Sequence, residues 1–182
     1  PAKFLLSIFS EGNIYNAQAN LKVPLSLNLR ELLAYAHPDP RFGGFGPFFS
    51  AIFILTLILW MAGVQRFREN QIPYFIIFVV TFTVLINPES WWARFVPQFW
   101  FVPVLTLILL NFDQKNTWVR RIQMALAALI VANICAVGGI SLIKQVRDSV
   151  AVYKQLDELR DRPKPLKVHF FLFRSSRIRL KE

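Results

Sequence analysis

Two short stretches of this chain combine charged side chains with glycine or aromatic residues, and both have the composition of an anion site. The first is His37–Arg41 with the glycine-rich GGFGP after it, and the second is Asn87–Gln98, which reads NPESWWARFVPQ. A guanidinium presents a planar fork of donors that matches phosphate or carboxylate. Arg41 and Arg94 are therefore the candidate ligands for an anionic substrate.

Arg94 has two possible partners. An arginine among aromatic residues at membrane depth is costly unless it faces a lipid phosphate, a carboxylate or a polar cavity. Glu89 could supply the carboxylate, which would make the pair purely structural. Trp91 and Trp92 are typical of the aromatic belt at a membrane interface, and beside a phosphate site they would line it. Ligand binding and structural pairing both stay open.

Asp39 could act as a general base or as a ligand for a metal or a sugar hydroxyl, and it could equally form a turn or pair with Arg41. The glycines that follow do not fit the phosphate-binding patterns GxGxxG or GxxxxGK[ST]. Three glycines and a proline within 43–47 demand unusual backbone angles or close backbone approach. Their amides could form an anion nest, or the turn could pack tightly against neighbouring helices.

Other catalytic patterns are missing from the sequence. Two histidines and one cysteine make no zinc pattern, and there is no GxSxG elbow. We therefore predict no metal and no cofactor. Asn133 is predicted to make a helix–helix hydrogen bond, Cys135 to be a small packing residue, and Gly138 and Gly139 to permit close helix approach.

The elements that must position these residues are four apolar blocks. A lipid-spanning helix needs about 20 apolar residues; the first and last blocks meet this, and polar and tryptophan residues extend the middle two into the interface. A soluble helical bundle is the alternative, but it would show a polar stripe, and Ala51–Trp60 contains only Thr56. The sequence predicts an all-α integral membrane protein with about four transmembrane helices. The blocks are Phe45–Val64, Ile72–Ile86, Phe99–Phe112 and Ile122–Ile143.

We predict three regions. Residues 1–44 form an extramembrane loop with a short helix through LRELLAYA, capped by Ser26 or Asn28 and with Glu31 in its first turn. Residues 45–143 form the transmembrane region. Residues 144–182 form a basic tail, with an amphipathic helix over 144–161 and a β-hairpin over 167–181. Residues 3–9 read as the end of a preceding helix, so a larger polypeptide or complex is expected.

The loops 65–70 and 113–121 carry arginine and lysine, which by the positive-inside rule makes their face cytoplasmic. Residues 1–44 and 87–98 are then extracytoplasmic, because a helical hairpin returns the chain to the face where it entered. Asp39, Arg41 and Arg94 would therefore share one cavity with Glu89. The strongly basic tail opposes this orientation, and a re-entrant middle block is the alternative.

The chain carries a formal net charge of +10, and much of the positive charge lies in the tail. This favours anionic lipid or an anionic substrate as a partner. No recognised nucleic-acid module accompanies the basic residues, so nucleic acid is not predicted as a partner.

Two motifs together resemble the C-terminal half of bacterial polytopic membrane proteins of the glycosyltransferase C superfamily. GGFGP opens a membrane helix, and NPESWWARFVPQFW follows one hairpin later. Within the second motif, residues 92–97 match an aromatic-Ala-Arg-aromatic-x-Pro core of a late extracytoplasmic loop. The similarity covers roughly residues 21–110.

This resemblance implies transfer of a sugar from a polyprenyl-phosphate donor at the outer face of the bacterial inner membrane, in envelope polysaccharide or glycoconjugate synthesis. Arg94 would bind donor or acceptor phosphate with help from Arg41. The family's catalytic aspartate belongs to a first outer loop that is not present here, so the base would lie outside this chain. The alternative is a non-enzymatic membrane subunit that anchors a complex through its helices and basic tail.

Overall fold

The computed structural model of the chain describes residues 2–11, 21–36, 44–63, 71–88, 96–109 and 116–160. Within these ranges the chain is predominantly helical and forms no strand, apart from an isolated antiparallel bridge between Ser10 and Leu21. The predicted all-α class is confirmed. The helices are α1 (Ala2–Ile8), α2 (Leu29–Tyr35), α3 (Phe49–Gly63), α4 (Gln71–Ile86), a 3-10 helix (Pro97–Trp100), α5 (Phe101–Leu109) and α6 (Thr117–Arg160).

In the described part of the chain, one helix is long and apolar enough to cross a membrane, judged by length and composition alone: α6. Helices α3 and α4, and the 3-10 helix together with α5, are apolar but shorter. Four membrane-spanning helices therefore stay a prediction.

Helix α3 is shorter than the apolar block that contains it because the block begins in a turn. Gly44 and Gly46 have positive φ angles of 62° and 107°, which a helix does not accept. Pro47 follows, and α3 begins at Phe49. The block from Phe45 thus supplies a helix of 15 residues rather than one of about 20.

Helix α5 packs against both α3 and α4. The rings of Phe49 and Trp100 have centroids 4.5 Å apart, and further along Trp60 Nε1 donates to Thr106 Oγ1 at 2.8 Å. Helices α3 and α5 therefore run parallel. Helix α4 also contacts the 3-10 helix. The start of α3 and the start of α5 share one end of the helix group.

A cluster of phenylalanine rings forms the core at that end. Phe4 from α1 meets Phe99 with ring centroids 5.0 Å apart, and Phe45 stacks on Phe49 at 4.7 Å. All four are buried. Edge-to-face and stacked ring pairs of this kind add stability beyond their buried area.

Two sequence predictions about α6 are wrong within the described residues. Cys135 is exposed, so it does not pack inside the chain. A Cβ built at Gly138 or Gly139 would meet no described atom within 4 Å, so neither glycine makes room for a close contact with another described helix. Both follow because the buried face of α6 passes through Leu126, Ile130 and Asn133 instead.

Residues 1–144 and 145–182 form two separate compact units. The described residues of the second unit, 145–160, are helical and exposed, including Val146, Val150, Tyr153, Leu156 and Leu159 of the predicted amphipathic pattern. The predicted hairpin over 167–181 lies outside the described residues.

Candidate functional site

The six residues predicted to bind substrate all lie outside the described part of the chain. Two described residues from the same two motifs do meet, because the rings of Phe45 and Phe99 have centroids 5.5 Å apart. Both phenylalanines are buried. The predicted binding residues are Asp39, Arg41, Glu89, Trp91, Trp92 and Arg94.

Beside this contact lies a buried ion pair. Lys22 Nζ donates to Glu31 Oε1 at 2.5 Å, and the two side chains are 2% and 1% exposed. Lys22 Nζ also donates to the carbonyl oxygen of Pro47 at 2.5 Å. One lysine therefore ties α2 to the turn that precedes α3.

Tyr35 completes this group, which we call the Lys22 network (Lys22, Glu31, Tyr35 and the Pro47 carbonyl). The Tyr35 hydroxyl donates to Glu31 Oε1 at 2.9 Å from one turn further along α2, the spacing at which helix side chains meet. Burial raises the pKa of Tyr35 above its usual range, and the negative charge and hydrogen bond of Glu31 raise it further. A backbone hydrogen bond from Gly46 lowers it, so the net effect keeps this phenol protonated.

The second oxygen of the Glu31 carboxylate, Oε2, is buried and has no hydrogen-bond partner among the described residues. Buried polar atoms are nearly always paired, so an unpaired carboxylate oxygen is uncommon. Within the described part of the chain, the network is therefore incomplete on that side.

Helix α6 supplies a cap for α3. The Phe48 amide donates to Asn133 Oδ1 at 2.8 Å, and Asn133 Nδ2 donates to the Phe45 carbonyl at 3.3 Å. The first amides of a helix have no partner within it. Asn133 accepts from one of these amides, as an N-cap side chain would, although it belongs to another helix. Asn133 was predicted to hydrogen-bond another helix; its partners instead lie in the turn immediately before α3. Ser141 Oγ also donates to the Tyr35 carbonyl at 3.2 Å, which ties α6 to α2.

Gly46 makes this cap possible. Its φ of 107° is strained for any other residue, and a Cβ built on it would overlap the amide of Asn133. Of the two interpretations of the glycine-rich turn, the described residues favour tight packing against a neighbouring helix over an anion nest.

A cavity of about 300 Å³ lies beside the turn. Its described walls come from α2, the turn, the 3-10 helix and α6, and none of the described lining residues is charged. It is lined by Tyr35, Gly44, Phe45, Gly46, Trp100, Asn133, Ile134, Val137 and Gly138.

Sequence reasoning missed the roles of Lys22 and Tyr35, and it gave Glu31 only the role of an acidic residue near a helix start. The Glu31–Tyr35 spacing of four residues was the available signal. No sequence signal pointed to Lys22, since Pro24 separates Lys22 from α2 and no local pattern links Lys22 to that helix. Among the described residues, no group of three or more His, Cys, Asp or Glu side chains could hold a metal ion.

Comparison with known proteins adds no relative, since no family model, curated protein or solved structure matches this chain.

Proposed function

We propose that this chain is the C-terminal membrane part of an enzyme that transfers a sugar from a lipid-linked donor in bacterial envelope polysaccharide or glycoconjugate synthesis. Four helices cross the inner membrane, and residues 1–44 and 87–98 lie on its outer side. Arg94 binds the anionic phosphate of donor or acceptor, and Arg41 assists it. Asp39 and Glu89 orient these arginines or bind sugar hydroxyls.

The observation that carries this proposal is the Phe45–Phe99 ring contact. Phe45 belongs to the GGFGP motif and Phe99 to the NPESWWARFVPQFW motif. A residue spans at most about 3.6 Å along an extended chain. Arg41 is four residues from Phe45 and Arg94 is five from Phe99, so both chain segments are short enough to reach one pocket. Trp91 and Trp92 belong to the same segment as Arg94 and would line that pocket.

Membrane placement has its own support. Helix α4 exposes large apolar side chains along its length, among them Phe75, Phe78 and Phe82. A contiguous apolar surface of this kind needs lipid or protein to cover it. Helix α3 is about 22 Å long, and the bilayer core is about 30 Å thick. Interfacial flanking residues and local thinning accommodate such a mismatch.

The chemical role of the arginines is electrostatic. Transfer leaves the polyprenyl phosphate as the departing group, and its negative charge grows as the sugar–phosphate bond breaks. A guanidinium aimed at that phosphate stabilises the transition state more than the ground state.

The test is the Arg94→Ala variant of the full-length protein, assayed for sugar transfer in membrane vesicles. We expect transfer to fall by about 100-fold or more. Arg94→Lys keeps the charge but loses the donor fork, so it should retain an intermediate rate. Arg121→Ala removes an exposed arginine at the start of α6 and should behave as wild type. Wild-type transfer by a normally folded Arg94→Ala protein would remove Arg94 from the mechanism.

A non-enzymatic subunit is the second candidate, and the exposed apolar side chains of residues 145–160 favour it. A helix in water with Val150, Tyr153 and Leu156 uncovered is suited to packing against a partner. Release of a co-purifying protein by Val150→Asp, combined with no transfer activity in the full-length protein, would establish this function instead.

A further inference from the structure

The segment 21–33 buries an ion pair and exposes leucines. Lys22 and Glu31 form the buried pair described above, with side chains 2% and 1% exposed. Six large apolar residues of the same segment are between 50% and 75% exposed. A segment that faces water shows the reverse pattern, because buried charges are costly and exposed apolar patches mark contact sites. We call this exposed set the leucine surface: Leu21, Val23, Leu25, Leu27, Leu29 and Leu33.

Leu25 lies at the tip of a turn in which leucine is an unfavourable residue. The Ser26 amide donates to the Val23 carbonyl at 3.0 Å, which closes a four-residue turn with Pro24 at its second position. The φ of Leu25 is 71°, which matches the third position of a type II turn, where glycine or asparagine is usual. The turn therefore holds a 56% exposed leucine side chain at a cost in conformational free energy. Strained residues cluster at sites of function, so Leu25 is the residue of this surface to test first.

The contact between α2 and α6 indicates what surrounds the leucine surface. Ser141 Oγ donates at 3.2 Å to the carbonyl oxygen of Tyr35, the last residue of α2. Ser141 lies two residues before Ile143, where the apolar block of α6 ends, and Lys144 comes next. At 1.5 Å per residue, this contact is within about 5 Å of Lys144 along the helix axis. With α6 across the membrane, α2 lies at the boundary between hydrocarbon and head groups.

We propose that the leucine surface inserts into the membrane interface, with its side chains among the parts of the acyl chains nearest the head groups. The proposal depends on the membrane placement of α6 given above and not on the transfer of a sugar. Interfacial segments bury their apolar side chains about 5–10 Å into this boundary, and α2 is itself only about 10 Å long. Arg30, the residue after Leu29, is exposed, and its guanidinium suits a lipid phosphate at that depth. Lipid is the occupant rather than a second protein, because Ser141 holds the segment at a level where lipid is always present.

A fluorescent label on single cysteines tests the contact with lipid. Cys135 is the one cysteine of the chain, so Cys135→Ser gives a background without thiols, to which Leu25→Cys is added. The protein is labelled with the fluorophore NBD and reconstituted in vesicles of phosphatidylcholine and phosphatidylglycerol. Quenching is measured with a phospholipid spin-labelled near the top of its acyl chain and, separately, with iodide in the water.

We expect spin-labelled lipid to quench the label at position 25 at least about twofold more than a label introduced by Gln155→Cys, and iodide to quench it less. Gln155 is the control because it is exposed on the polar continuation of α6, outside the apolar block. Leu29→Cys, at a position that is 69% exposed at the start of α2, should behave as Leu25→Cys does. It decides the question if Leu25→Cys disturbs the turn.

Native Cys135, labelled in the otherwise unchanged protein, reports on α6 itself. Cys135 is exposed within the apolar block, so we expect a phospholipid spin-labelled deeper in its acyl chain to quench this label. That result establishes that α6 lies in the membrane in the same vesicles. A label at Cys135 that only iodide quenches would overturn the membrane placement, and the proposal with it.

With Cys135 in lipid, two results would overturn the insertion of the leucine surface alone. Iodide quenching at positions 25 and 29 as strong as at position 155 would show that the surface faces water. Protection of both labels from iodide and from spin-labelled lipid would show that protein covers it instead. Sugar transfer is not the readout, so failure here leaves the Arg94 test unaffected.

Discussion

The amide of Asn133 fills the space in which a side chain at Gly46 would lie. A Cβ on Gly46 would come within 2.9 Å of Asn133 Cγ and would overlap its nitrogen. The same amide accepts from the Phe48 N–H and donates to the Phe45 carbonyl. The start of α3 is therefore fixed by a residue from α6, and glycine is the residue that lets the two come so close.

We predict that Gly46→Ala destabilises the protein by about 2–4 kcal/mol, because it combines a strained φ with an overlap in a packed site. The free energy of unfolding of purified protein in detergent, measured by denaturant titration, checks this. Gly44→Ala is the matched control. Gly44 also has a positive φ but has open space around its Cβ position, so we expect only the conformational cost of about 1–2 kcal/mol.

A double-mutant cycle separates the overlap from the strain. Asn133→Ala alone should cost about 1–3 kcal/mol, because the Phe48 N–H and the Phe45 carbonyl lose their partner. In the Asn133→Ala background the overlap is gone, so Gly46→Ala should cost less than it does in wild type. Additive costs in the two backgrounds would contradict the close approach of these two residues.

The ion pair of Lys22 and Glu31 gives the second prediction. Lys22→Met leaves the buried Glu31 carboxylate without a counter-charge, and we expect a loss of about 3–5 kcal/mol in the free energy of unfolding. Adding Glu31→Gln removes the stranded charge, so the double variant should be more stable than Lys22→Met alone. The control is Arg30→Ala, which removes an exposed cation next to Glu31 on α2. Its free energy of unfolding should stay within about 0.5 kcal/mol of wild type. A double variant less stable than Lys22→Met would show that the pair is not an isolated buried charge pair.

Local sequence rules explain the elements that depend on neighbours along the chain. Asn28 and Glu31 predicted the position of α2. Of the two predicted caps, Ser26 and Asn28, the structure shows Asn28, since its side chain accepts from the Arg30 N–H. The position of Asn133 within an apolar block predicted a hydrogen bond to another segment, but it did not predict which residues would be the partners. The glycines of the turn predicted the unusual backbone angles that Gly44 and Gly46 adopt.

Contacts between distant segments could not be read in the same way. Lys22 reaches Pro47 across 25 positions, and no sequence period links a lysine in an extended segment to a carbonyl in a turn. The prediction that Cys135 packs inside the chain was wrong for a similar reason. Hydropathy shows that a block is apolar but not which of its faces meets another helix. The predicted substrate-binding residues lie outside the described part of the chain, so the candidate site stays a prediction.

Tyr35 gives the third prediction, which concerns alkaline pH. Burial and the Glu31 charge raise the pKa of this phenol in the folded protein, whereas in the unfolded chain it titrates near its ordinary value of about 10. The folded state therefore holds the proton that the unfolded state releases. The contribution of Tyr35 to stability is complete below about pH 10 and declines above it, by up to about 1.4 kcal/mol for each pH unit.

Tyr35→Phe tests this, because phenylalanine has no proton to lose and the decline above about pH 10 should become shallower. The free energy of unfolding is measured across that range in detergent. The phenolate absorbance of the folded wild-type protein should lack the contribution of Tyr35 until the protein unfolds. Tyr153→Phe is the control, since Tyr153 is 71% exposed. The contrary result is a decline of stability above about pH 10 that is unchanged in Tyr35→Phe and shallower in Tyr153→Phe. It would mean that the hydroxyl of Tyr35 is not held between Glu31 and Gly46. Lys22 alone would then tie α2 to the turn before α3.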